Sequence, residues 1–288
     1  MKKIADNDMA SESCPALAFL PPVSEMMRQA GLEPKKSLGQ NFLFDLNLTG
    51  RIARSVPDIE KSAVVEVGPG PGGLTRALLA AGAKRLIVIE KDKAAAEILE
   101  KIANAANGRM RIIFGDALKI GNDELGIGND DKIAICSNLP YNIGTELLIK
   151  WLHIASSVSS MTLMFQREVA MRIVAKVGDK QYGRLAVLTS LVADARILFN
   201  VPNTAFVPPP KVQSAVVQII PKSESPISNL EKVGRLTAKL FGQRRKMIRG
   251  IIPGIDWAKF GLAGTERAEE LSPEKFQELA LRLSAAGL

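Results

Sequence analysis

The sequence predicts an α/β fold, a parallel sheet with helices on both faces, followed by a small C-terminal all-helical domain. Three observations carry this. From residue 63 to residue 176, short apolar runs alternate with helical stretches, as strand–helix units feeding a parallel sheet do. Gly68, Glu90, Asp116 and Asn138 fall 22, 26 and 22 residues apart. That interval fits one strand–helix unit each and puts all four at carboxyl ends of strands, where such sheets bind ligands. Beyond the polar segment PKSESPISN (221–229), only helical patterns appear.

The elements follow in order. Residues 1–34 contain Pro15, Pro21, Pro22 and Pro34 and no sustained period. They read as an N-terminal extension with a short helix around 24–30. A larger α/β domain then spans 35–221. In LFDLNLTGRIARSV (43–56), Leu43, Leu46, Leu48, Ile52 and Val56 recur near helical spacing, with Asp45 or Asn47 as cap. Strands are expected at 63–67, 86–90, 111–114, 132–137 and 161–166, with helices at 73–81, 92–103, 144–155 and 167–176. After a helix at 183–193 come two last strands, 195–201 and 214–220, joined through the irregular proline-rich VPNTAFVPPPK (201–211). The helical domain, 222–288, carries helices at 230–241, 243–251 and 273–284.

Composition narrows the function classes. With 288 residues and 47% hydrophobic content, the chain buries a sizeable core without disulfide or metal staples, and whole-chain disorder is excluded. Its two cysteines, Cys14 and Cys136, cannot build a disulfide framework, and Cys136 sits in an apolar run as a buried thiol. Cys/His ligand spacing is absent, so no metal is expected. A Ser-His-Asp triad would need the single histidine, His153, which reads as a packed helix residue in IKWLHIA. No run of 18 apolar residues exists, and Asp6 and Asp8 precede any apolar stretch. Neither a membrane partner nor export is expected, and the cytoplasm is the default. The net charge of +8 is consistent with a polyanionic partner.

VVEVGPGPGGLT (64–75) sets a glycine loop between a strand and a helix. Gly68, Gly70 and Gly73 satisfy G-x-G-x-x-G, with Glu90 about twenty residues on, so a dinucleotide site or a purely structural turn are both open readings. Pro69 and Pro71 lack an N–H and remove donors that a pyrophosphate would need. S-adenosylmethionine (SAM), which has no phosphate, fits better, with Glu66 near its methionine end. Glu90 can accept hydrogen bonds from both ribose hydroxyls. Asp116 can accept from the adenine amine, with Ala117 beside the ring. A solvated strand end and a helix N-cap, respectively, would also account for these two acids.

Asn138-Leu139-Pro140-Tyr141, straight after the fourth strand, is the most specific signal. An aromatic amine is a poor nucleophile because its lone pair is delocalised. Two acceptors on its hydrogens, the Asn138 side-chain carbonyl and the Leu139 backbone carbonyl, would favour pyramidal geometry. Pro140 fixes the turn and Tyr141 offers a stacking face for an extruded base. The methyl is already activated by the sulfonium, so positioning does most of the work. A plain turn leaving a strand is the bland alternative.

With these motifs, the chain resembles the small-subunit (16S) ribosomal RNA adenine N6,N6-dimethyltransferase family from Lys35 to about Arg249. The matching segments are KKSLGQNFL (35–43), EVGPGPGGLT (66–75), IE (89–90), GDAL (115–118), SNLPYNIGTELL (137–148), MFQREVAMRIVAKVGDKQYGRLAVL (164–188) and NTAFVPPPKVQSAVV (203–217). The resemblance implies a Rossmann-like SAM-dependent methyltransferase sheet. It also implies dimethylation of two adjacent adenines near the rRNA 3′ end during 30S biogenesis. Carried over residue by residue, Asn41, Leu43, Gly68, Glu90, Asp116 and Asn138 would line SAM. Asn138, Pro140 and Tyr141 would face the target amine. Phe206 resembles the family's second stacking residue, although an ordinary core anchor fits it equally. In QRRKMIRG (243–250), Met247 and Gly250 stand where the family pattern has threonine and asparagine, which leaves RNA docking detail open.

Residues 232–250 hold Lys232, Arg235, Lys239, Arg244, Arg245, Lys246 and Arg249 and no acid. Beside a base-modifying site this reads as a phosphate-binding helix, and otherwise as a solvated face. Gln166, Arg167, Arg172, Lys176, Lys180 and Arg184 would extend it. The expected partner is small-subunit rRNA in an immature 30S particle, met by a monomer. A large-subunit rRNA dimethyltransferase, a non-catalytic assembly factor and a nicotinamide oxidoreductase are the competing readings.

Overall fold

The computed structural model describes residues 15–35, 38–121, 123–125, 132–222 and 229–284. Asp6, Asp8, Cys14, Lys36, Ser37 and positions 223–228 of the polar segment lie outside these residues. Two short strands, β1 (Phe42–Leu43) and β8 (Phe206–Val207), pair antiparallel as a ribbon. The main sheet comprises β2 (Ala63–Val67), β3 (Arg85–Glu90), β4 (Met110–Phe114), β5 (Ile133–Asn138), β6 (Val158–Gln166), β7 (Ala193–Val201) and β9 (Ser214–Pro221). Their order is β4-β3-β2-β5-β6-β9-β7. β2 to β6 run parallel, and β9 lies antiparallel between β6 and β7.

Strand periodicity divides the core in two. Val65, Val67, Ile87, Ile89, Ile133 and Ile135 face one side. There they meet α6 (Gly144–His153) and α8 (Arg184–Val192), and this core continues into α9 (Leu230–Phe241), α10 (Ile248–Ile251) and α11 (Pro273–Ser284). Val64, Leu86, Val88, Ala134 and Cys136 face the other side. They pack with α1 (Pro15–Ala18), α2 (Val23–Gln29), α3 (Leu46–Arg54), α4 (Gly73–Ala80) and α5 (Ala96–Ala105). α7 (Arg167–Val174) follows β6 directly. The segment ahead of β1 is anchored to this second core. Leu17, Met26 and Leu32 are buried, and Arg76 of α4 donates to the carbonyls of Pro21 at 2.7 Å and Leu17 at 3.2 Å.

Local chemistry sets the element ends. Asp45, not Asn47, caps α3, its carboxylate accepting from Asn47 N and Leu48 N. Leu43 leaves the expected helix for β1, where it pairs with Phe206. Two expectations are corrected. The helix at 243–251 shrinks to Ile248–Ile251. Residues 243–247 are all exposed, so they have no apolar stripe to bury, and tertiary burial is what sustains most protein helices. Met247 instead bridges to Arg267. His153 is exposed rather than packed. It is the last residue of α6, one position beyond the buried Leu147, Leu148, Trp151 and Leu152.

Candidate active site

β2 is the switch point of the sheet, since the chain proceeds to β3 and β4 on one side and to β5 and β6 on the other. Such points open a crevice beyond the strands' carboxyl ends. Here it is a cleft of about 1010 Å³, measured out to its solvent mouth. Asn41, Leu43, Gly68, Glu90, Asp116, Asn138, Leu139, Pro140 and Tyr141 all line it. Phe206 does not. It is 2% exposed and packs in the core with Leu43, Met164, Val201 and Val216.

The glycine turn is shaped by close approach. Gly68 has φ +68°, and a Cβ there would lie 3.4 Å from the Pro140 ring. Gly70 has φ +53°, and a Cβ there would fall 2.7 Å from Phe42 Cε1. The turn therefore lies between the Asn138–Tyr141 segment and the segment 38–43, with both glycines at positive φ and no room for a Cβ at Gly70. That segment forms a strap over the cleft. Lys35 Nζ holds Asp92 Oδ1 at 2.8 Å, and Asn138 Nδ2 donates to Asn41 O at 2.9 Å. Its far end enters the β1–β8 ribbon. Because the amide nitrogen of Asn138 is committed to the strap, the opposite edge of that amide presents its oxygen.

The acids differ in environment. Glu90 is 4% exposed. Its Oε2 accepts from Gly70 N at 3.1 Å and its Oε1 from Asp92 N at 2.7 Å. Burial raises its pKa against these backbone donors. Each ionised oxygen retains acceptor capacity beyond one such bond. Asp116 is held below the usual carboxylate range by Lys91, whose Nζ is 2.8 Å from Oδ2, and by Leu118 N. Glu66 is 1% exposed and accepts from Thr75 Oγ1 at 2.7 Å. Burial pushes its carboxyl up to about 8, Thr75 opposing and Glu90 adding. Cys136 is buried, and burial with the neighbouring Glu66 raises its thiol well above the ordinary value.

In the turn after β5, Tyr141 is half-buried with its hydroxyl 2.6 Å from Ser214 Oγ. Burial raises its phenol. Ser214 lies in the motif KVQSAVV, yet spacing alone assigns it no role. Nor does the sequence pattern single out Phe42, Lys35 or Asp92. Their partners are remote along the chain, so no local signal marks them.

The basic run is less bare in space than in sequence. Arg235 pairs with Glu231 at 2.8 Å, and Arg244 pairs with Glu269 at 2.5 Å while donating to Lys180 O. Arg245, Lys246 and Arg249 are exposed, as are Arg167, Lys180 and Arg184. Arg172 and Lys176 are exposed too, and Arg172 pairs with Glu168. Among the described residues, no helix is long and apolar enough to cross a membrane.

The chain matches the family described as Ribosomal RNA adenine dimethylase over residues 31–284. It is 50% identical over 268 residues to Ribosomal RNA small subunit methyltransferase A of Chelativorans sp. (strain BNC1), covering 91% of this chain and 97% of that protein. Identity to the protein of the same name from Brucella melitensis biotype 1 is 52% over 268 residues, covering 91% and 96%. Its structure is similar to a crystal structure of a dimethyladenosine transferase from Plasmodium falciparum, with a TM-score of 0.70 and 25% identity over 86% of this chain and 98% of that one.

Proposed function

The chain belongs to the ribosomal RNA adenine dimethylase family, and from that premise we propose that its cleft moves methyl groups from SAM to the N6 amines of adenines in small-subunit rRNA. The finer reading is dimethylation of two adjacent adenines near the rRNA 3′ end. It takes place on an immature 30S particle, in the cytoplasm, by a monomer. Residues 35–221 carry the chemistry and residues 222–288 dock the RNA.

One observation supports this most: the glycine turn, Glu90, Asp116 and the Asn138–Tyr141 turn line a single cleft. The residues fit SAM. The glycine backbone lines the cleft closely packed against Phe42 and Pro140, with no room for a Cβ at Gly70, and Pro69 and Pro71 withhold the donors a phosphate would require. When bound, SAM supplies a methyl carbon already activated by its sulfonium. Glu90 accepts the ribose hydroxyls and Asp116 the adenine amine. Asn41, Leu43 and Gly68 close around the donor.

The amide oxygen of Asn138 and the carbonyl of Leu139 accept the two hydrogens of the target amine and free its lone pair for in-line attack. Pro140 holds the turn. Tyr141 stacks on the extruded base, its ring set by Ser214. Phe206 acts from beneath, holding Leu43 and so the strap. Exposed Arg245, Lys246 and Arg249 meet phosphates.

The test is Asn138→Ala, assayed by mass spectrometry of rRNA from immature small subunits incubated with SAM. Turnover is expected to fall on the order of 100–1000-fold, the usual cost of removing one preorganised polar group, while SAM still binds by calorimetry. Full activity in this variant would falsify the assigned role.

A further inference from the structure

The loop after β4 carries Asp116 and Ala117 on one wall of the cleft. It belongs to no helix or strand between Gly115 and Gly121. Its internal bonds are few. Asp116 O accepts from Lys119 N and Ile120 N, and Asp116 Oδ1 accepts from Leu118 N at 3.1 Å. Three of its carbonyls converge on one cation. Lys150 Nζ donates to Ala117 O at 2.8 Å, Leu118 O at 3.0 Å and Ile120 O at 2.6 Å. An ammonium has three donors, so this lysine is fully committed to a single loop. It is half-buried and shares a small internal void with Ala117, Ile120 and Trp151.

Lys150 stands on α6, and α6 grows directly out of the catalytic turn, with Gly144 N donating to Pro140 O at 3.0 Å. The same helix therefore starts on the turn that faces the target amine and, two turns later, fixes the wall that faces the donor's base. Charge-assisted bonds of this kind are stronger and shorter than neutral ones. Three of them, from a side chain whose neighbours Leu147, Leu148 and Trp151 are buried, leave the loop little room to shift.

We propose that Lys150 is a positioning residue for the methyl donor: by clamping the Ala117, Leu118 and Ile120 carbonyls, it places Asp116 for recognition of the adenine amine and so sets selectivity for an adenine-bearing donor. This rests on the reading of Asp116 given above. Lys150 itself touches neither donor nor target.

The experiment compares binding of S-adenosylhomocysteine and S-inosylhomocysteine by calorimetry. The second carries an oxo group where the first carries the amine. In the wild type, the charged Asp116 acceptor should favour the adenine form by about tenfold or more. Lys150→Met keeps the aliphatic stem and removes all three bonds. It should cut that preference by about tenfold, raise KM for SAM and leave kcat at saturating SAM within a few-fold. Lys150→Arg should restore the preference, and Lys150→Gln replaces the methionine variant if that fails to fold. Asp116→Ala separates the two claims. If it abolishes the preference while Lys150→Met leaves it intact, the proposal is overturned. If Asp116→Ala also leaves the preference intact, the Asp116 reading is wrong and the proposal falls with it.

Discussion

Glu66→Gln probes the electrostatics of the cleft floor. The carboxyl stands at about 8 in the folded protein, against an ordinary value of 4.5, because burial disfavours its charged form. The folded chain thus holds a proton that the unfolded chain gives up. Stability from this group is fully present below about pH 4.5 and is lost as pH rises to about 8. At about 1.4 kcal/mol for each unit, the loss between about pH 5 and about pH 8 is on the order of 3 kcal/mol. Glutamine cannot ionise, keeps the shape and can still accept from Thr75. Urea unfolding of the ligand-free protein at the two pH values provides the assay, with the variant cancelling other titrations. The wild type should lose on the order of 3 kcal/mol relative to Glu66→Gln across that range. A wild-type-to-variant gap that stays constant within about 0.5 kcal/mol would mean that Glu66 is not held protonated by burial.

The remaining predictions address the strap, the stacking face and the docking surface. Gly70→Ala forces a Cβ toward Phe42 at a positive φ. It should cost on the order of 1–3 kcal/mol, read by thermal melts, and should weaken S-adenosylhomocysteine binding in calorimetry. Tyr141→Ala should lower RNA affinity by about 1–3 kcal/mol as stacking disappears. Tyr141→Phe keeps the ring, removes only the hydrogen bond to Ser214, and should retain most of that affinity in filter binding. Neutralising Arg245 and Lys246 should reduce the slope of log affinity against log salt by about 0.7–0.9 for each phosphate that no longer meets a cation. An unchanged slope would remove these two side chains from the docking surface.

The cleft lining was legible in the sequence because it sits where strands end. Gly68, Glu90, Asp116 and Asn138 are each reached by counting one strand–helix unit, and all four line the cleft. What holds them was not legible. Asn138 and Asn41 are 97 residues apart, Tyr141 and Ser214 are 73 apart, and Lys35 and Asp92 are 57 apart. Such pairs depend on how the sheet closes, which no local period records. The same holds for Phe206. Its proline-rich surroundings read as irregular, yet pairing with Leu43 converts Phe206–Val207 into a strand and draws the ring inward. The helix expected at 243–251 failed for the converse reason. Its charge run looks regular, but residues 243–247 have nothing to bury.

The reversed direction of β9 has a topological result. Every parallel strand offers its last residue to the upper rim of the sheet, so its following loop does the work there. β9 offers its first. Ser214 stands level with Gln166, where β6 ends, and with Val201, where β7 ends. The linker 202–213 therefore departs from and returns to the same rim, never crossing to the lower one. A single change of polarity is what brings a hydroxyl encoded 73 positions later alongside the tyrosine it steadies.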